Sequence, residues 1–458
     1  MTQKAFHHAL KVDNDLCYGC THCMTVCPTE AIRVRNGKAI IYEHKCIDCG
    51  MCFKVCPVQA IKVEQDDFST IFNYKHRVAL YPSTLPGQFD SEFSIKQIIA
   101  CLHELGFTDV FEVEHGADFL VDDIKEYMKE HSDTKPLISS FCPAIVRLIQ
   151  VKFPSLVQNI ITRKPPLDVS ALYYRKKLED QGVDPKDIGI FYITPCAAKI
   201  AAVKSPVGEE HSSVDGVINI DLIYNRVLLL LKNHTPLDTE KIEEPTLRHT
   251  SIRWSLTNGE ADRFDGRCLA IDEVHNAIDF LERLETDQIT NVDFVEIRAC
   301  DESCAGGILN VSNRFITVER MKKRARRHKE FLTQNPVQNP LLEYSDYLKE
   351  KCRVIEIEPR SMMKMDEDTN IALNKLEKAQ KMLSYLPGID CGVCGAPTCQ
   401  ALSEDIVQKN ARLTDCVFMR SQMEDTGSLT HIKSIQIMKD IWGDYSINKV
   451  EEDLDNDK

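Results

Sequence analysis

The sequence predicts an α/β body with mainly parallel sheets, carried between two small cysteine-rich modules. Three observations predict it. Residues 1–65 are short apolar pieces cut by a doubled cysteine motif, "CYGCTHCMTVCPTEAI" and "CIDCGMCFKVCPVQAI". From about residue 77 strand-like and helical stretches alternate, the pattern of parallel sheets with crossover helices. A last group of four cysteines follows an amphipathic helix near the end. A length of 458 residues suits several domains. The expected boundaries are 1–70 for the first module, 77–365 for the body, 370–435 for the second module and 436–458 for an acidic tail.

The body reads element by element. "HRVALYP" is a strand and "SIKQIIACLHELGF" an amphipathic helix. "DVFEVE" is a short strand, "DFLVDDIKEYMKEH" a helix, "KPLISSF" a strand and "PAIVRLIQVKF" a helix. "IGIFYITPC" and "VDFVEIRAC" are buried strands that each end in a cysteine. Residues 314–350 read as mainly helical, "CRVIEIEP" as a further short strand, and "IALNKLEKAQKMLSYL" as a helix. Functional groups in such bodies sit just past the carboxyl ends of strands. Cys142, Cys196 and Cys300 all stand there.

Composition removes several function classes. The apolar fraction of 43% and charged fraction of 28% are those of an ordinary globular protein. No run of 18 apolar residues exists to span a membrane, and the N-terminus lacks the apolar core of a signal peptide, so a cytoplasmic location is expected. A net charge of −14 argues against nucleic acid as a partner. The basic run "MKKRARRHK" reads as the solvated face of a helix, and "EEDLDNDK" as a disordered end.

The chain has 19 cysteines and no export signal, a usage that points to metal or redox chemistry rather than disulfides. Cys17, Cys20, Cys23 and Cys27 precede Pro28 as C-x2-C-x2-C-x3-C-P, and Cys46, Cys49, Cys52 and Cys56 precede Pro57 in the same spacing. Three thiolates of each run wrap one iron–sulfur cubane and the fourth ligates the other cluster. Cys17, Cys20, Cys23 and Cys56 are therefore assigned to one 4Fe–4S cluster, and Cys46, Cys49, Cys52 and Cys27 to the other. Zinc sites are usually built from two separated C-x2-C pairs and fit this repeat poorly. The module is a bacterial-type two-cluster ferredoxin. Cys391, Cys394, Cys399 and Cys416 form C-x2-C-x4-C-x16-C, a spacing that favours iron–sulfur, with zinc a fairer competitor than in the first module. The string "GIDCGVCGAPTCQALSEDIV" resembles a small 4Fe–4S domain of redox and corrinoid proteins, which favours iron–sulfur.

Of the seven cysteines left, Cys101, Cys268 and Cys352 read as buried thiols. Cys142, Cys196, Cys300 and Cys304 occur in "SSFCP", "TPCAAK" and "ACDESCAGG". Spacing alone leaves open whether they share a cluster. Their contexts resemble, in order, the three signature motifs of iron-only (FeFe) hydrogenases. The family's Thr-Ser-Cys-Cys-Pro falls on Ser139, Ser140, Phe141, Cys142 and Pro143. Its Met-Pro-Cys with a lysine three residues on falls on Thr194, Pro195, Cys196 and Lys199. Its C-x3-C with following glycines falls on Cys300, Cys304, Gly306 and Gly307. The similarity runs over roughly residues 77–330.

The resemblance implies a two-lobed hydrogenase-like α/β body between an α+β ferredoxin domain and a small helical 4Fe–4S domain. It implies that the four cysteines hold a cubane and that Cys304 bridges it to a di-iron subcluster carrying CO, CN and a dithiolate. Lys199 would hydrogen-bond a cyanide. Four 4Fe–4S clusters and one di-iron unit would then serve H2 and protons, with electrons passing to a protein partner in electron transfer or signalling.

The departures concern proton transfer. Phe141 replaces the thiol that carries protons in efficient members, and a phenyl ring carries none. Thr194 and Arg298 stand where the family has methionines, and Arg298 would add fixed charge beside the cluster. Ser139, Ser140, His115 and Glu114 are the candidate replacement carriers. The pattern resembles the divergent subgroup regarded as sensory, which implies slow hydrogen chemistry used for detection. A protein holding the cubane without the di-iron unit is the alternative from another class, and a fast catalyst with a rerouted proton path is a third.

Overall fold

The computed structural model describes residues 6–233, 236–243, 247–334, 338–360, 365–366 and 368–456. The chain divides into two compact units. One comprises residues 1–9, 47–49 and 64–360, the other residues 10–46, 50–63 and 361–458.

The first unit is built on two sheets whose strands all run parallel. In the larger, the order is Asp109–Glu112, His76–Tyr81, Ile188–Thr194, Gly216–Asn219. In the smaller it is Cys268–Ile271, Phe294–Ile297, Leu137–Ile138. Parallel neighbours need crossover connections, and helices supply them. Ile95–Glu104 links the strands His76–Tyr81 and Asp109–Glu112 and starts on a reciprocal cap: Gln97 N–H donates to Ser94 Oγ, and Ser94 N–H to the Gln97 side chain. Ile188–Thr194 is buried at all seven positions, as a central strand covered on both faces requires. Each of its isoleucines contributes about 1.5–3 kcal/mol by leaving water. The edge strand Gly216–Asn219 is blunted by the distant segment of Gln65 and Asp66, because Val217 N–H donates to Asp66 and Asn219 N–H to Gln65.

These sheets place the cysteines. Cys142 caps the helix Pro143–Lys152 and Cys196 caps Ala197–Lys204. Cys300 follows the strand Phe294–Ile297, and Cys304 lies in the short 3-10 turn Ser303–Gly306. Cys101 and Cys352 are fully buried thiols, and Cys268 opens a strand.

Three expectations change. "CRVIEIEP" forms no strand among the described residues: only Arg353 bridges to Arg163, and Ile355 is exposed. Val354 and Ile357 instead line a cavity, so the alternation faces a void and not a sheet. The helix of "DFLVDDIKEYMKEH" begins four residues earlier, at Glu114. In the basic run, Arg324 turns inward from the helix Arg314–Gln334 and grips Glu112 with two bonds of 2.6 Å.

The second unit carries the cysteine repeat except Cys49. Leu10–Val12 pairs with Ile61–Val63 and Ile32–Arg35 with Lys38–Ile41, both antiparallel. Short helices His22–Thr25 and Met51–Val55 follow Thr21 and Gly50 in left-handed conformation, so both halves turn alike. The fourth cysteine of each motif accepts an equivalent bond: Ala31 N–H to Cys27 Sγ at 3.2 Å, Ala60 N–H to Cys56 Sγ at 3.1 Å. Helices Thr369–Leu383, Cys399–Val407, Val417–Asp425 and His431–Asn456 complete the unit. The segment expected as an acidic tail thus continues as helix, kinked at Gly443, with Ile437 and Ile441 buried. No helix among the described residues is long and apolar enough to cross a membrane.

Candidate functional site

In the first unit the loops after three strand ends converge, those following Leu137–Ile138, Ile188–Thr194 and Phe294–Ile297. Thr194 is buried and shapes the turn into Cys196, whose N–H donates to Thr194 Oγ1 at 3.2 Å. Gly307 packs on the same turn: a Cβ there would lie 2.7 Å from the Pro195 carbonyl oxygen. Leu309 N–H donates to that carbonyl oxygen as well, tying the "CAGG" turn to "TPC". Gly306 has no room for a side chain, because a Cβ would overlap the Asp301 carbonyl oxygen. Gly306→Ala is therefore expected to open the Cys300–Cys304 turn. After iron–sulfur reconstitution, iron analysis should find it about four atoms short of the parent chain.

Cys142, Cys196 and Cys304 stand within electrostatic reach of one another. Burial, then the neighbouring Cys142, pushes the Cys196 thiol up to about 12. Burial raises Cys304 as well, with Lys199 and Arg298 pulling the other way. Cys300 begins the same turn, its carbonyl accepting from Ser303 N–H. None of the four is in a disulfide.

Two cations face this group. Lys199 Nζ lies 3.9 Å from Cys304 Sγ and 3.4 Å from the Tyr192 hydroxyl. Burial opposes its charge, but Cys304, Tyr192, Cys196 and Glu114 outweigh that and hold the ammonium protonated. Arg298 is 1% exposed, and its Nη2 donates to Glu260 at 2.8 Å. Its charge is therefore paired, not bare as its position beside Cys300 suggests. Phe141 lies against both: its ring centre is 4.6 Å from Lys199 Nζ and 4.0 Å from Arg298 Cζ. Such contacts are worth roughly 2 kcal/mol when desolvated.

A cavity of about 100 Å³ opens beside Phe141 and Lys199, lined also by Ser140, Glu114, Tyr192 and Asp168. Ser140 Oγ donates to the Arg163 carbonyl at 2.7 Å. Glu114 accepts from Ser83 N–H, and burial with neighbouring Glu112 raises its carboxyl above the ordinary range. His115 does not line the cavity. It stacks on Phe111, ring centres 4.9 Å apart, and burial pushes it down to about 4, so it stays neutral.

Sequence reasoning missed two buried carboxylates. Ser139 Oγ donates to Glu260 at 2.7 Å and accepts from Phe141 N–H at 3.2 Å. Glu296 accepts from Glu260 N–H and Ala261 N–H, both at 2.9 Å, and one of its oxygens stands 3.6 Å from Arg298 Nε. Burial, with help from Glu260 and against Arg298, pushes Glu296 up from 4.5 to about 7. The folded chain keeps a proton there that the unfolded chain releases. Stability from this group is thus full below pH 4.5 and is lost as pH rises through about 7. Glu296→Gln keeps the amide oxygen for both N–H donors and is expected to flatten urea-unfolding stability across that window. An unchanged slope would place the titration elsewhere.

In the second unit, Cys23 is pushed up to about 12 by burial, then by Cys20, Cys17 and Cys56, so these four lie together. Burial raises Cys52, with Cys27 and Cys46 among its neighbours. Cys394 goes to about 11 through burial, and Cys416 and Cys391 stand beside it. These sulfur sets match the chemistry of iron–sulfur ligation.

Residues 75–225 match the family described as "Iron only hydrogenase large subunit, C-terminal domain". Residues 16–61 match "4Fe-4S dicluster domain", and residues 386–418 match a family named for its Fe–S cluster. Iron hydrogenase 1 of Clostridium pasteurianum is 28% identical over 156 residues, 32% of this chain and 26% of that protein. NADP-reducing hydrogenase subunit HndD of Solidesulfovibrio fructosivorans is 24% identical over 140 residues, 28% of this chain and 23% of its own length. The match thus spans about a quarter of these curated relatives. Among solved structures, HydA(deltaEFG), whose structure reveals stepwise [FeFe]-hydrogenase H-cluster assembly, aligns at 15% identity with a TM-score of 0.45. That alignment covers 64% of this chain and 98% of the other. [FeFe]-hydrogenase HydA1 of Chlamydomonas reinhardtii gives 14%, 0.45, 62% and 94% in the same order.

Proposed function

From the premise that this chain is a divergent relative of the iron-only hydrogenases, flanked by iron–sulfur modules, we propose that it binds an H-cluster and reacts slowly with hydrogen as a sensor. Cys142, Cys196, Cys300 and Cys304 would hold its cubane. When bound, that cluster supplies the redox chemistry of 2H⁺ + 2e⁻ ⇌ H₂. The eight N-terminal and four C-terminal cysteines hold three further cubanes that carry electrons to a protein partner.

The single observation behind the sensory reading is Phe141, an aromatic ring held by Lys199 and Arg298 where a proton-carrying thiol would serve fast turnover. Lys199 presents a fixed ammonium beside Cys304 and suits an anionic cyanide. Protons reach the site from the side of Ser139 and Glu260, a hydroxyl and a carboxylate already hydrogen-bonded at 2.7 Å. Glu296, poised near 7, stands behind them as a reservoir.

The test is infrared spectroscopy of anaerobically matured protein. CO and CN bands, with cluster reduction under hydrogen and slow evolution from a low-potential dye, are the expected result. Rapid evolution would sink the sensory role. Missing bands with about 16 iron atoms per chain would mark a cubane-only electron-transfer protein; the di-iron unit makes about 18.

A further inference from the structure

The C-terminal cysteine module is built against the hairpin Ile32–Ile41 of the ferredoxin module, inside the second unit. The hairpin turns on Asn36 and Gly37, both left-handed, the pair that a two-residue turn favours. One of its strands serves the first cluster motif: Ala39 N–H donates to Cys17 Sγ at 3.3 Å, and Lys38 Nζ donates to the Cys17 carbonyl at 2.6 Å. The other strand serves the C-terminal motif: Val34 N–H donates to the Gly395 carbonyl at 2.9 Å, one residue after Cys394. Ala39 and Val34 stand opposite each other across the hairpin with their N–H groups turned outward, one to each motif, so the width of one two-stranded hairpin separates the two sulfur sets.

The backbones come close at several places. A Cβ on Gly395 would overlap the Val34 carbonyl oxygen, and one on Gly37 would lie 2.6 Å from the Trp442 carbonyl oxygen. Trp442 Nε1 closes the layer by donating to the Val393 carbonyl at 3.1 Å. The charges at this seam are specific. Arg35 Nη1 donates to the carbonyls of Cys394 at 3.2 Å and Gly395 at 2.8 Å, while its Nη2 pairs with Asp405 at 3.0 Å. Arg33, 0% exposed, takes the same carboxylate at 2.6 Å, and Lys45 pairs with Glu404 at 3.0 Å.

We propose that the C-terminal cluster exchanges electrons directly with the cluster of Cys17, Cys20, Cys23 and Cys56, across this hairpin. In the same proposal Arg35 sets the C-terminal cluster's potential. The inference rests on the iron–sulfur reading of both modules. One electron moves per event: the donor cubane goes from its 1+ to its 2+ state as the acceptor goes from 2+ to 1+, and no proton transfers. The first electron comes from a low-potential one-electron donor such as dithionite. Arg35 touches the backbone around Cys394, so its positive charge favours the more negative, reduced state of that cluster.

The experiment uses the full chain, reconstituted with iron and sulfide and reduced with dithionite under electron paramagnetic resonance. Expected is a spin–spin interaction beyond that of the two N-terminal clusters with each other, and this added component disappears in Cys394→Ser/Cys399→Ser. In a redox titration, Arg35→Gln should show a several-fold smaller reduced fraction of the C-terminal cluster at fixed potential, and Arg35→Lys should restore most of it. Full iron content with no such added interaction and an unmoved titration would overturn the inference while leaving the cluster reading intact. Absence of iron from the Cys391–Cys416 set would overturn both. The spectrum of the unaltered chain decides the matter even if Arg35→Gln fails to fold.

Discussion

Glu260→Gln is expected to lower hydrogen-dependent turnover by about 10²–10⁴-fold while leaving the CO and CN infrared bands in place. The carboxylate is 2% exposed and joins Ser139 to Arg298, and in the proposed relay it takes the proton next to the loop that carries Phe141 and Cys142. An amide keeps the shape but cannot take up and release a proton at that place. Glu260→Asp separates the two roles. It keeps a carboxyl and should recover part of the rate, with a pH profile displaced from the parent's. A merely structural role would instead show as lost cubane iron in both variants. If the rate of Glu260→Gln matches the parent, protons enter by the cavity of Glu114 and Ser140, and the relay assigned above is wrong.

Glu112→Ala is expected to destabilise the first unit by about 3–5 kcal/mol, read as a lower urea midpoint. Both Glu112 oxygens pair with Arg324 at 2.6 Å, and the carboxylate also accepts from Tyr81 and Ser83. Truncation strands a guanidinium whose side chain is 14% exposed, with the sheet beneath it. The magnitude comes from the unpaired charge, not from the worth of the pair. A double variant, Glu112→Leu with Arg324→Met, should therefore recover most of the loss. A cost near zero for the single change would mean that water reaches Arg324. The site feels the same network, since Ser83 bonds Glu112 and gives its N–H to Glu114 on the cavity wall.

Much of this arrangement is readable before any coordinates. The cysteine spacings announce the iron–sulfur modules because ligation geometry constrains short loops. Cys142, Cys196 and Cys300 are recognisable at strand ends because buried parallel strands read as unbroken apolar runs. What escapes is whatever depends on pairing across the fold. Glu260 and Glu296 lie 36 residues apart in no shared motif and meet only through Arg298 and two backbone N–H groups. One signal was available: Glu296 sits inside "DFVEI", where a strand covered on both faces has no room for an unpartnered charge. Likewise "VIEIE" at 354–358 has the alternation of a strand yet meets no free sheet edge. Its isoleucines divide between solvent and cavity. Arg324 hides in a basic run because helical periodicity there is obscured by charge on every face.

Phe141 has one more consequence. A cysteine engineered at that position would stand between an ammonium and a guanidinium that now rest on an aromatic ring. Such neighbours stabilise the thiolate, and a thiolate locked in ion pairs surrenders its usefulness as a shuttle. Of the two cations only Arg298 departs from the family pattern, so Phe141 and Arg298 act together: restoring the thiol alone would exchange one impediment for another, and the reversion must be made at both places.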